Sequence, residues 1–292
     1  MPLTHLSHPE DLILTGETWV VDAMFGQTSS SLKIDGCPAV VWGTHPETGK
    51  FFVGTKSVFN KKLIKICYSE SDVHSIYAKQ PELAAVLAAC FVYLPRTEGI
   101  YQGDFIGFGG SQRYTPNTLT YDFGERVAAN IIVAPHTQYH IPGPMCEAEA
   151  SPLQVDFDNT PHCMFVQPIV DRVPQPEELA WHVPSNNFEW LTPKQVTFAK
   201  QEVNKLLKTG QEINVETLSP FLGEELATLY YLVMSLKHQV MASYIIYNSP
   251  KCFIGDEQVQ GEGFVMTSAE GSFKLVDRYQ FSYANFTQGK FS

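Results

Sequence analysis

The hydrophobic period of this chain changes near residue 190 and changes back near residue 260, and that limits what it can fold into. From Trp19 to about Val133 the apolar residues fall in short runs: "AVVWG", "KFFVGT", "KLIKICY" and "GIYQGDFIGF". These runs are rich in β-branched and aromatic side chains and are punctuated by Gly and Pro, so they predict strands. One helix interrupts them. Leu83, Val86, Leu87, Cys90 and Phe91 share a helical face, and Pro95 closes the segment. The proline-rich stretch Pro174 to Pro184 reads as a boundary.

Beyond it the pattern is helical. Thr192 and Gln195 form a capping box, Pro193 takes the first helical position and Gly210 follows the last turn. Val196, Ala199, Val203, Leu206 and Leu207 give this helix one apolar face. A longer helix is expected from near Ser219-Pro220 towards Tyr247. Leu226, Leu229, Tyr230, Val233, Val240, Met241 and Tyr244 would line its buried side. Strands return with "GEGFVMTS" and "GSFKLVDR". The predicted class is α+β, a β-rich core over 1–180 and 250–292 interrupted by a helical lobe over 181–249.

Composition removes some function classes. The net charge of −11 argues against a generally basic nucleic-acid binder, though it leaves room for a local basic cleft. Six cysteines are scattered without C-x-x-C spacing and read as small buried hydrophobes of a reducing compartment. No run approaches the ~18 apolar residues of a membrane span, and the N-terminus lacks the basic and apolar parts of a signal peptide. A cytoplasmic protein without a membrane partner is expected.

Lys33, Asp35, Lys56, Asp104, Glu262 and Lys274 each sit in or beside a short apolar segment. Any one of them fits a solvent-facing strand residue. Together they combine cations and carboxylates, the mixture needed to hold a nucleoside triphosphate and its metal. "HTQYH" at His136 to His140 has zinc-like spacing only on a helix, and here it follows a strand and precedes Pro142. "GFGGS" at Gly107 to Ser111 lacks the Lys-Ser/Thr of a Walker loop and reads as a turn.

In order, these segments resemble the motifs of the covalent nucleotidyltransferases, the nucleic-acid ligases and RNA capping enzymes. "KIDG" at Lys33 to Gly36 is similar to their Lys-x-Asp-Gly, with Leu32 and Ile34 flanking the nucleophile. Lys56 in "GTKS" and Asp104 in "YQGDF" resemble ribose-contacting residues, and "NIIVAPHTQY" resembles the strand beside the base, with His136 near base or ribose. Glu262 in "EGFVM" is similar to the metal-binding glutamate, and Lys274 in "SFKLVD" to the phosphate-binding lysine. Within that superfamily the chain looks most like phage RNA ligases. "KIDGCPAVVWG" and "GKFFVGTKSVFNKK" also resemble a set of tailed-phage proteins, which would put it in the host cytoplasm. Ser31 and Ser272 stand where many ligases carry Glu and Lys.

The resemblance implies a nucleotidyltransferase (ATP-grasp-like) core of two antiparallel sheets. Only 18 residues follow Lys274, so no C-terminal OB-fold is expected. It implies ATP and Mg²⁺ (or Mn²⁺) as cofactors, with Asp35 and Glu262 as metal ligands. Lys33 would attack the α-phosphate, expel pyrophosphate and pass AMP to a 5′-phosphate of nucleic acid, RNA rather than DNA. A lysine amine attacks phosphorus only without its proton, which partial burial and nearby cations favour. Two alternatives stay open: a non-ligating phage binding or structural protein on the same fold, and adenylyl transfer to a protein or small molecule.

Overall fold

The structure is a computed structural model that describes residues 6–26, 28–173 and 188–281. Helices α1 (Pro9–Leu12) and α2 (Trp19–Phe25) precede strand β1 (Ser29–Leu32). Strands β2 (Ala39–Thr44) and β3 (Phe51–Gly54) lead into helices α3 (Glu70–Ile76) and α4 (Pro81–Tyr93). Next come β4 (Ile100–Phe108), β5 (Arg113–Tyr114), β6 (Thr120–Asp122), β7 (Ile131–His140), β8 (Glu149–Pro152), β9 (Cys163–Phe165) and β10 (Ile169–Arg172). Helices α5 (Pro193–Lys208), α6 (Val215–Leu222) and α7 (Glu224–Ala242) follow. The described chain closes with β11 (Tyr244–Tyr247), β12 (Lys251–Ile254), β13 (Glu257–Val259), β14 (Gly263–Thr267) and β15 (Ser272–Val276).

The chain is α+β. Its described strands form four sheets, not two, and all their pairings are antiparallel except β7 with β9. The boundary expected at Pro174 to Pro184 lies outside the described residues. Two compact units emerge. The first contains Ile34–Gln167 and Asn248–Val259; the second contains the described parts of His5–Lys33, Pro168–Tyr247 and Gln260–Ser292. The helices α5, α6 and α7 thus belong with β1 and the β14–β15 hairpin.

The first unit is built on a sheet of order β3-β2-β4-β7-β8. Alternation along β2 sends Val40 and Trp42 to one face and Val41 to the other. Val40 and Trp42 pack with Leu87 and Cys90 of α4 and with Phe157 and Phe165. Val41 packs with Phe52, Ile100 and Tyr139. Both faces are therefore covered, which explains the nearly unbroken apolar strands. A second sheet, β13-β12-β6-β5, belongs to the same unit. The expected strand at "KLIKICY" does not form. Leu63 takes a left-handed φ of 53°, which breaks an extended path, and only Cys67 bridges to Val53. Leu63 and Ile64 are left exposed.

In the second unit β14 lies between β1 and β15, and β10 pairs with β11. The Ser30 hydroxyl meets the Tyr244 hydroxyl at 2.6 Å, and the Tyr244 ring stacks near Phe264, tying these sheets together. Helix α5 carries the capping box of Thr192 and Gln195, and Gly210 follows it at φ 68°. The expected single long helix from Ser219 is instead two. Gly223, at φ 76°, separates α6 from α7, and the segment Tyr244–Tyr247 pairs as β11. Pro220 sits inside α6 rather than opening a helix. The cause is local: a residue with positive φ cannot continue a right-handed helix. Among the described residues no helix is long and apolar enough to cross a membrane.

Candidate active site

Lys33 stands one residue beyond β1, and its backbone N–H continues the ladder by donating to Gly263 O at 2.8 Å. Ser31, Val265 and Lys274 are in register across the three strands. Because strand faces alternate, Lys33 projects on the Lys274 side, while Leu32, Phe264 and Leu275 project to the other. The Lys33 ammonium donates to a Glu262 carboxylate oxygen in a close salt bridge, both side chains being partly buried.

Glu262 is held there by its neighbours. Gly261 and Gly263 adopt φ of 140° and 144°. A Cβ on Gly263 would lie 2.0 Å from Leu275 O, inside the β14–β15 ladder. The "GEG" run thus lets the chain enter the sheet tightly while Glu262 turns to Lys33. Lys274 is half-buried; burial, and then the Lys33 charge, lower its pKa, while Glu262 opposes the shift. Two amines and one carboxylate therefore share a partly desolvated face.

The other predicted site residues belong to the first unit. Asp35 accepts from Asn117 Nδ2 at 2.7 Å, and its backbone N–H donates to the Tyr121 hydroxyl, also at 2.7 Å. Ile34 is buried. Gly36 has a structural reason to be glycine, since a Cβ there would sit 2.7 Å from Phe105 O on β4. Lys56 is exposed in a short helical turn capped by Thr55. Asp104 on β4 is largely buried, and its carboxylate lies 3.7 Å from His136 Nε2 on β7. His136 and His140 both lie on strand β7, and four residues of strand separate them by ~13 Å, too far to share one zinc.

Among the described residues no three His, Cys, Asp or Glu side chains gather as a metal site. Glu262 fits a different mode, in which one carboxylate holds Mg²⁺ together with substrate phosphates and water. All six cysteines are free thiols. A cavity of about 220 Å³ lies on the Leu32 side of the β1-β14-β15 sheet, lined also by His238, Met241, Phe264 and Phe281.

Sequence reasoning missed a cluster of buried charges in the second unit. Glu10, Asp11, Lys237 and Arg278 are all buried. Lys237 Nζ donates to Glu10 at 2.6 Å, and Arg278 donates to Glu10 at 2.9 Å and also to Asp11. Burial alone would raise the Glu10 pKa, but Lys237 and Arg278 outweigh it and hold the carboxyl low. One signal was available. Lys237 falls between Val233 and Val240 on the buried stripe of α7, where a lysine is isolated unless paired.

Fold and site define an α+β protein with a lysine–carboxylate centre on the edge of a three-stranded sheet. The chain belongs to a family of unknown function, DUF6267, which it matches over residues 4–221 and 223–290. Comparison with curated proteins and with solved structures gave no match.

Proposed function

We propose that this chain is an ATP-dependent nucleotidyltransferase of the RNA-ligase type, with Lys33 as its covalent nucleophile. One observation carries the reading. Lys33 and Glu262 are 229 positions apart, yet their side chains are in direct contact, with Lys274 on the same sheet face. A structural salt bridge has no need of a second, partly desolvated lysine facing the first.

In the first step the unprotonated Lys33 Nζ attacks the α-phosphorus of ATP. The N–P bond forms, the bond to the β-phosphate oxygen breaks, and pyrophosphate leaves with the electron pair. Glu262 is in place to accept the proton that Nζ loses. Lys274 offsets charge on the α-phosphate oxygens. Mg²⁺, held by Glu262 with phosphate oxygens and water, would withdraw charge from the triphosphate. In the second step a 5′-phosphate oxygen of RNA attacks the same phosphorus, the N–P bond breaks, and Lys33 Nζ leaves with the electron pair and takes up a proton, so that AMP is carried on the RNA end.

Incubation with α-labelled ATP and Mg²⁺ or Mn²⁺, followed by a denaturing gel, tests the reading. Label should enter from the α-phosphate and not from the γ-phosphate. Lys33→Arg should abolish it while the fold persists, because a guanidinium keeps its proton. No adduct with ATP or GTP would favour a binding or structural protein. An adduct that never seals RNA would leave adenylyl transfer to another acceptor.

A further inference from the structure

We infer that loop 60–65 of the first unit docks on an anionic lipid bilayer, with Lys61 and Lys62 on the lipid phosphates and Leu63 and Ile64 at the boundary of headgroups and acyl chains. The nucleotidyl-transfer chemistry is not involved: Lys33, Glu262 and Lys274 belong to the second unit. The segment "KSVFNKKLIK", Lys56 to Lys65, holds four of the chain's 20 basic residues and no carboxylate. Among the described residues none of these four lysines closes a salt bridge. Lys65 Nζ lies instead over the Tyr77 ring, 5.3 Å from its centre. The first carboxylates beyond the loop, Glu70 and Asp72, open α3, where Asp72 accepts from the Tyr68 N–H at 2.9 Å. In a chain of net charge −11 the loop is a local positive patch.

The loop is held in a form that exposes an apolar tip. Val58 and Phe59 are buried before it and Cys67 after it. Ser57 O accepts from the Lys65 N–H at 3.4 Å, and Val53 and Cys67 exchange backbone hydrogen bonds at 3.0 Å, which closes the base. A Cβ on Gly54 would lie 2.9 Å from Lys65 O, so the chain leading in and the chain leading out pass in close contact. Between them Asn60, Lys61, Lys62, Leu63 and Ile64 are all exposed. Leu63 is 86 % exposed, more than any other large apolar side chain among the described residues, and sits at φ 53°. A left-handed leucine is uncommon. At this turn two aliphatic side chains stand in water beside two lysines.

A lipid surface accounts for both halves of this pattern. Lysines are drawn to anionic headgroups, and their long stems keep the ammonium with the phosphates while an aliphatic tip enters the boundary beneath. Water solvates the lysines but not the tip. A nucleic acid would engage the lysines but offers the tip little, since bases stack on aromatic rings. The rings beside the loop, Phe59 and Tyr77, are buried. A loop of this kind lies in the headgroup layer and needs no spanning helix. It revises the expectation of no membrane partner, which rested on the lack of a span.

Co-sedimentation with vesicles of phosphatidylcholine alone, or of phosphatidylcholine and phosphatidylglycerol in equal parts, tests the docking. The wild type, Lys61→Gln/Lys62→Gln and Leu63→Asn/Ile64→Ser proteins would be compared, asparagine being chosen because it tolerates a left-handed φ. The wild type should bind the anionic vesicles, more weakly as salt is raised, and not the neutral ones. Removing both lysines should weaken binding about thirtyfold, and removing the aliphatic tip should weaken it at least about tenfold. No binding of the wild type to anionic vesicles, equal binding to neutral and anionic vesicles, or wild-type binding by either folded variant overturns the proposal. If thermal melting shows a double variant to be unfolded, the single changes Lys61→Gln and Ile64→Ser are read by the same criteria, with about a fivefold loss expected for the lysine. A gel shift with an RNA hairpin tests the other anionic partner. If Lys61→Gln/Lys62→Gln loses RNA binding while no protein binds vesicles, the loop is a nucleic-acid contact and the lipid assignment falls.

Discussion

The two units of this chain bury different things. The first buries Val40, Trp42, Leu87, Ile131, Val133 and Phe165 on one face of its main sheet and Val41, Phe52 and Ile100 on the other. The second buries Glu10, Asp11, Lys237 and Arg278 along with its apolar residues. An apolar core tolerates approximate shape, since each contact contributes a little and none is obligatory. A buried ion cluster is all-or-none, because removing one partner strands a charge in a poor solvent. The proposed chemistry lies in the second unit. Its ion network ties α1, through Glu10 and Asp11, to Lys237 of α7 and to Arg278 just after β15.

Single and paired substitutions can break that contrast. Lys237→Met should cost the second unit about 3–5 kcal/mol, because Glu10 loses its closest cation. Adding Glu10→Gln should restore a large part of this loss. Trp42→Ala should cost the first unit a similar ~3–5 kcal/mol as a cavity, with no single compensating change. Urea midpoints of the single and double variants measure both. Additive losses at Glu10 and Lys237 would refute the idea of a coupled network.

Tyr139→Phe should be milder. The Tyr139 hydroxyl donates to Gln102 Oε1 at 2.6 Å inside the first unit. Losing it should cost about 1–2 kcal/mol and leave one acceptor unpaired. A loss as large as that of Lys237→Met would show that the first core is as intolerant as the second.

The smallest effect is on pH dependence, which has the same sign in both units but a different pH window. His8 is held neutral in the fold, well below the ordinary 6.5. As pH falls below 6.5 the unfolded chain takes a proton that the folded chain refuses, so stability is intact above 6.5 and declines beneath it. His238 is shifted the same way, by burial first. In the first unit Asp122 is held down to about 2 by Gln112, the Gly124 N–H and Arg113, against an ordinary 3.8. Its contribution is complete above 3.8 and is lost only as pH falls towards 2. Urea midpoints between pH 7.5 and 5.5 should drop in the wild type and drop less steeply in His8→Gln, where the His238 contribution remains. An unchanged slope in that variant would remove His8 from the account.

Much of the local structure was legible. The capping box at Thr192 and Gln195, the stripe of α4 and the strands around Tyr101, Ile132, Phe264 and Phe273 follow from patterns that act over a few residues. The failures are also local in origin. "KLIKICY" has strand composition, but the left-handed turn at Leu63 overrides it. Ser69, which accepts from the Asp72 N–H, marked the start of α3 and passed unread among the strand signals. Gly223 and the strand after Ser243 were hidden inside a helical period that continues across both.

Local sequence pattern singled out the residues proposed for the chemistry: a lysine before Ile-Asp-Gly, a glutamate between two glycines, and a lysine in the last described strand. It also determined most helices and strands, because propensity, capping and alternation are set within a few residues. Only packing brought Lys33 against Glu262. It alone decided that Glu10 meets Lys237 across 227 positions and Arg278 across 268. The reason is physical. A charged side chain reads as a surface residue until its partner arrives, and only the packed fold supplies the partner that makes its burial tolerable.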